Sequence, residues 1–224
     1  MKLYMHPVST GARAVRLMIA EHGIPCDEVL VDLLSGEHQQ KDYLSRNPSG
    51  LLPMLEDGDF RLTETSAILK YLADKYDLAA YPKDLKQRAR VNEVMDWFNT
   101  QFYRDFGYGL VYPQMLPGMR RRSDESQAEV VERGQAGAKK WLHVLNDYWL
   151  GPDKPYLCGD QPTIADYFGS AVATLGEGIG CEFADYPHVC RWLGDMKKLK
   201  SWSAVNQAFA GFAAANKGRE FVRV

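Results

Sequence analysis

The residues best placed to do chemistry lie in Leu62-Thr63-Glu64-Thr65-Ser66-Ala67-Ile68-Leu69. An extended run, Phe60 to Thr63, gives way there to an amphipathic helix with Ile68, Leu69, Leu72 and Tyr76 on one face. The junction carries one carboxylate, Glu64, and two hydroxyls, Thr65 and Ser66. A helix N-terminus offers unpaired N–H groups and a partial positive charge, so it can hold a carboxylate. Glu64 beside it can hold an amine. Together they suit a zwitterionic head, with an amine and a carboxylate on one carbon. The competing role is a plain N-cap at Thr65 or Ser66. A second polar junction, Gly159-Asp160-Gln161-Pro162-Thr163-Ile164-Ala165-Asp166, is another helix start. Thr163 caps it while Asp166, three residues on, reaches back, so the spacing needs no catalytic role for Asp166.

These junctions need elements to position them. Residues 2–6 alternate as a short strand, with Leu3 and Met5 against Tyr4, and Pro7 breaks it. Ser9, Thr10 and Gly11 turn into a helix, Ala12 to His22, which Gly23 and Pro25 end. A second strand is expected from Glu28 to Asp32, parallel to the first. Residues 33–50 read as a polar loop. Pro53 to Glu56 and Phe60 to Thr63 flank Asp57-Gly58, a hairpin signal. Beyond Tyr81-Pro82-Lys83-Asp84 the pattern turns helical almost throughout. Val91, Val94, Met95, Phe98 and Phe102 form the first of several stripes that read as core. Others run through Trp141 and Leu145, Tyr167 and Phe168, Trp192 and Leu193, and Val205 and Phe209.

The chain has 224 residues, enough for one large domain or two small ones with real cores. Its 27 basic and 29 acidic residues give a net charge of −2, which argues against a nucleic-acid platform. No apolar run reaches the roughly eighteen residues of a membrane span. Cys26, Cys158, Cys181 and Cys190 are scattered, with no C-x-x-C and no zinc-like spacing. They read as thiols of a reducing compartment, and a cytoplasmic protein is expected.

Four pieces in this order carry a resemblance. They are Tyr4, Ser9 and Arg13; Asn47-Pro48-x-Gly50-x-Leu52-Pro53; Leu62 to Ile68; and Gly159 to Asp166. With them the sequence resembles a soluble glutathione transferase over nearly its whole length. The serine position and the Asp32 to His38 segment are most similar to the theta class and its bacterial relatives. The resemblance implies an α/β thioredoxin-like domain of order βαβ-ββα at residues 1–77, a linker at 78–86 and an all-α helical domain at 87–224. It implies glutathione as co-substrate, with no metal. Glu64 would pair with the amine, Thr65 would take the γ-glutamyl carboxylate, and Ser66 would assist. A cis Pro53 would leave the backbone of Leu52 free for the cysteinyl unit. His38 and Lys41 would meet the glycyl carboxylate. Ser9 would donate to the thiolate, with Thr10 as a rival donor.

Arg13 is expected to serve structure, and Tyr4 to pack or to form a site wall. The aromatic run Trp97 to Tyr112 leaves more rings than one core stripe uses, so Tyr103, Tyr108 and Tyr112 are expected to line a pocket for a small apolar electrophile. Arg104 is expected there too, to orient a leaving anion. The family frame also implies a homodimer, with the helix through Asp96, Thr100 and Tyr103 near the dyad. The rival functions are a glutathione-dependent dehalogenase of short halocarbons, a thiol–disulfide reductase, and a non-catalytic dimerisation or binding module. Two departures stand out. Gly11-Ala12 replaces a frequent Pro-Cys or similar pair, which is expected to loosen the turn that aims Ser9, and Thr65 replaces a common serine.

Overall fold

A computed structural model describes residues 1–224. Its first part contains β1 (Lys2–Met5), α1 (Thr10–His22), β2 (Asp27–Leu30), α2 (Lys41–Arg46), β3 (Met54–Asp57), β4 (Phe60–Leu62) and α3 (Thr65–Lys75). The sheet order is β2-β1-β3-β4. β1 pairs β2 in parallel, with Leu3 opposite Glu28, and β3 antiparallel, with Leu3 opposite Leu55. β3 and β4 form the expected hairpin, with Glu56 opposite Arg61. The alternation in β1 sorts its side chains to two faces. Leu3 joins Val15, Ile68 and Leu72 under α1 and α3, while Tyr4 packs with Val31, Tyr43 and Met54 on the opposite face. Tyr4 is therefore a packing residue, and its hydroxyl accepts a hydrogen bond from Arg46. Gly23 ends α1 at φ 63°, a left-handed conformation that glycine adopts without strain. Residues 33–50 are more structured than a polar loop. They hold a 3₁₀ turn, Glu37–Gln39, and α2, which Tyr43 anchors by burying its ring.

The helical part begins with α4 (Leu85–Trp97), where the Asp84 carboxylate accepts from the N–H groups of Lys86 and Gln87. α4 runs on without a break into a π-helical stretch, Phe98–Val111, and then α5 (Tyr112–Met115). α6 (Asp124–His143), α7 (Ile164–Ala173), α8 (Pro187–Met196) and α9 (Trp202–Ala215) follow. The capping box at Thr163 and Asp166 is present. Asp166 is fully buried and accepts four hydrogen bonds, from the N–H of Leu157, the N–H and hydroxyl of Thr163, and the indole of Trp192. It is a structural carboxylate, pushed above its usual range by burial and drawn back by those donors.

One apolar core runs from Leu3 and Val15 through Phe98 to Trp192, so the sheet and the helices share it. Arg13 ties them further. Its guanidinium is buried and donates to Thr174, Asn206 and the carbonyl of Ala171, and it stacks 3.9 Å over the Phe209 ring. Desolvation lowers its pKa to about 10, and it stays charged at neutral pH. The helix that presents Ser9 is thus bolted to α7 and α9.

Candidate active site

The C-terminal end of β1, the start of α1, the turn before β3 and the start of α3 converge on one cleft of about 500 Å³. Ser9, His38, Leu52, Pro53, Glu64, Thr65 and Ser66 line its floor, and Tyr103, Tyr108 and Tyr112 line the helical side. Two expected residues are not brought there. Lys41 opens α2 as an exposed residue outside the cleft lining. Arg104 points away, pairing with Asp105 through Nε at 2.8 Å and Nη2 at 3.0 Å. It lines a separate depression of about 700 Å³ with Arg121, Arg133 and Lys140. None of the polar groups of the sheet domain reaches that depression. Trp97, at the start of the aromatic run, is buried among Phe98, Phe102, Trp141 and Trp149.

Each polar group on the floor has a local cause. Ser9 is the N-cap of α1, and its Oγ accepts from the N–H of Ala12 at 3.4 Å. That bond uses a lone pair of the oxygen and leaves the hydroxyl proton free. Capping and donating are therefore compatible roles for one serine. Thr10, the rival, is buried, and its Oγ1 lies 2.9 Å from the Tyr112 hydroxyl. At α3 the cap is Glu64, not Thr65 or Ser66, and its side chain makes no capping bond. Its backbone sits at φ 65° and ψ 117°, a conformation that costs a non-glycine residue about 1–3 kcal/mol. That turn leaves an exposed carboxylate beside the uncapped first N–H groups of α3. The Leu52–Pro53 peptide is cis. His38 lines the cleft with its Nδ1 buried and unpartnered.

Gly11 does not loosen the turn. A Cβ there would meet Thr65 Oγ1 at 2.3 Å and Pro53 Cδ at 3.0 Å. The glycine lets the start of α1 close against the start of α3 and the turn before β3. The two departures in sequence, Gly11 and Thr65, thus touch in space.

The sequence reading missed much of the apolar wall. Met115, Leu116, Met119, Phe209 and Phe212 line it on the helical side. Leu116-Pro117-Gly118-Met119 carried a readable signal, because apolar residues in a turn-forming stretch have no helix face to bury them. Phe209 and Phe212 gave none, since their spacing is that of an ordinary core stripe. Polar groups on one side and apolar groups on the other suit a peptide-sized polar ligand and a small hydrophobic one held together. None of the free cysteines lines the cleft.

A thioredoxin-like sheet domain, joined to an all-helical domain across such a cleft, defines a class of two-domain transferases. Residues 1–74 match the family described as "Glutathione S-transferase, N-terminal domain", and residues 111–199 match "Glutathione S-transferase, C-terminal domain". Human glutathione S-transferase theta-2B is 38% identical over 197 residues, covering 87% of this chain and 79% of that one. A structure of human glutathione transferase theta-2 in complex with glutathione superposes with a TM-score of 0.84 at 32% identity, covering 98% of this chain and 92% of that one. A glutathione transferase homologue from Sulfitobacter, solved with bound glutathione, gives a TM-score of 0.78 at 26% identity, over 93% and 97% of the two chains. The chain belongs to the glutathione S-transferase family, and its relatives place it with the theta-class enzymes.

Proposed function

We propose that this enzyme ionises the thiol of glutathione with the Ser9 hydroxyl and directs it at a small apolar electrophile held against the helical side. Ser9 on the cleft floor, capping α1 through an oxygen lone pair so that the cap does not use its hydroxyl proton, carries the reading. In it Glu64 takes the glutathione amine, while Thr65 and Ser66 take the γ-glutamyl carboxylate. Leu52, next to Pro53, pairs with the cysteinyl backbone, and His38 meets the glycyl carboxylate. Lys41 is set back and acts at most through long-range charge. Tyr103, Tyr108 and Tyr112 contact the electrophile. Nothing places Arg104 beside a leaving group, so no observation favours the specialised dehalogenase. A cytoplasmic homodimer completes the reading, on the strength of the family resemblance.

The energetics close. A free thiol has a pKa of about 8.5 and is only a few per cent thiolate at pH 7. Lowering it by about two units requires about 2.7 kcal/mol of preference for the anion. A hydrogen bond to a charged group supplies about 1.5–3 kcal/mol. The N-terminus of α1 adds about 0.3–1 kcal/mol. The test is a Ser9→Ala variant. Its bound thiolate, followed by ultraviolet absorbance, should titrate one to two units higher (on the order of the hydrogen bond removed). Its turnover at neutral pH should fall further than its glutathione affinity. If Thr10→Val produces that shift and Ser9→Ala does not, the wrong hydroxyl has been chosen.

A further inference from the structure

Three hydroxyls cross the domain boundary in a row. Thr10 Oγ1 lies 2.9 Å from Tyr112 Oη, which lies 2.5 Å from Tyr103 Oη. All three residues line the cleft. The chain exists because of the π-helical stretch. Tyr103 and Tyr112 are nine residues apart, which in an α-helix of 3.6 residues per turn is two and a half turns, on opposite faces. The wider turn of i→i+5 bonding makes nine residues about two turns, so both rings face the same way. Gly107 gives Tyr103 its place, since a Cβ there would sit 2.4 Å from the ring.

Three hydroxyls bring three protons, and the two bonds between them use two. One proton is always spare. When Thr10 donates to Tyr112, that spare proton belongs to one of the two phenols. When Tyr112 donates to Thr10, Tyr103 donates to Tyr112 and the spare proton belongs to Thr10.

We propose that the Tyr103–Tyr112 pair is a second hydrogen-bond donor of this active site, presenting the spare proton of the chain to the departing group of the electrophile. The inference rests on the glutathione reading above. The sulfur of the thiolate attacks carbon, the C–S bond forms, and the bond to the leaving group breaks with its electron pair on that group. The phenol stabilises the developing anion and keeps its own proton, while the thiol proton has already gone to solvent. The substrate class follows: electrophiles whose leaving group departs as a hydrogen-bond-accepting anion. Burial holds both phenols above their usual pKa, Tyr103 well above it, so they are neutral donors at working pH.

The test is a series of benzylic chloride, bromide and iodide, with glutathione, on the full chain. Chloride depends most on a donor and iodide least. Tyr103→Phe and Tyr112→Phe singly should each lose less than about threefold on the chloride, because the surviving phenol inherits the spare proton. The double variant should lose about tenfold, the factor of about 1.4 kcal/mol, on the chloride and less than about twofold on the iodide. Its thiolate titration and glutathione affinity should stay as in the wild type. An equal loss on all three halides, or none on the chloride, overturns the proposal. Thr10→Val gives an independent answer should the double variant not fold. It confines the spare proton to the phenols, so the chloride-to-iodide ratio should hold or rise by up to about twofold, and a fall overturns the proposal. Failure of the glutathione reading looks different, with the wild type itself neither binding glutathione nor conjugating the iodide.

Discussion

Gly11→Ala tests how the two halves of the glutathione floor are joined. Two effects of opposite sign compete. Gly11 is the second residue of α1, and alanine in a helix is favoured over glycine by about 0.5–1 kcal/mol, less in the first turn. Its backbone is not in the left-handed region, so no conformational strain opposes the change. Against this, the new Cβ would sit 2.3 Å from Thr65 Oγ1, roughly 1 Å short of ordinary contact, and 3.0 Å from Pro53 Cδ. Pro53 is fixed by its ring, and Thr65 is β-branched with few rotamers to escape into. Overpacking of this kind costs about 1–3 kcal/mol, so the clash outweighs the helix gain. The relief that is open, swinging the Thr65 hydroxyl away from α1, removes a proposed contact to the γ-glutamyl carboxylate. Glutathione should therefore bind about two- to twelvefold more weakly to Gly11→Ala, the worth of that contact (about 0.5–1.5 kcal/mol) at about 1.4 kcal/mol per factor of ten. Isothermal titration of Gly11→Ala, Thr65→Ala and the double variant, each checked by thermal melting, closes the cycle. Thr65→Ala alone should lose about 0.5–1.5 kcal/mol. The double variant should bind about as well as Thr65→Ala, because the atom that clashes is gone, leaving a coupling of about 0.5–1.5 kcal/mol. Wild-type affinity in Gly11→Ala, or strictly additive losses, would refute the reasoning.

Two further outcomes follow from charges at the same end of the molecule. Glu64→Ala should weaken glutathione binding by about 1.5–3 kcal/mol, the range for a hydrogen bond to a charged group, and unchanged affinity by titration calorimetry in the folded variant would remove the site. Asp57 at the end of β3 accepts from the Lys75 ammonium and, at 2.6 Å, from the Tyr71 hydroxyl, clasping the hairpin to α3. The hydrogen bond from Lys75, then that from Tyr71, holds its carboxyl below the usual range. A lowered carboxyl stabilises the fold fully above its unfolded pKa of about 3.9, and the stabilisation is lost as pH falls through the folded value. The stability difference between wild type and Asp57→Asn in urea unfolding should thus be constant near neutrality and shrink below about pH 4. A difference that does not change with pH would show that the clasp is not electrostatic.

Much of the sheet domain was legible because its signals are local. Strand alternation, the Gly23 helix stop and the Asp57-Gly58 hairpin signal each act over a few residues, and each lies within a residue of where the sequence puts it, the hairpin loop being Gly58-Asp59. So did the capping box of α7, which took Asp166 out of consideration as a catalyst. The α2 helix escaped notice because it is six residues long and held by one buried tyrosine rather than by a repeating apolar face. The tyrosines were harder. α-Helical periodicity rightly set Phe98 and Phe102 in the core and left Tyr103 over, but it gave no phase for residues beyond the change of helix type.

The sequence by itself determined the element order, the core stripes and the presence of Ser9, Glu64, Thr65 and Ser66 at two helix starts. Those depend on spacing along the chain, and spacing is what a sequence records. Tertiary structure alone decided what each of these groups touches. It shows the Ser9 oxygen accepting from the Ala12 N–H, the Thr10 and Tyr112 hydroxyls in contact, Arg104 paired to Asp105 outside the cleft, and Gly11 seated against Thr65. Each of those facts depends on a partner between one and 102 residues away. Packing sets the distance between the partners that lie far apart in sequence: the shared core and the Arg13 bolt fix the two domains, and the wider helical turn aims the tyrosines at α1.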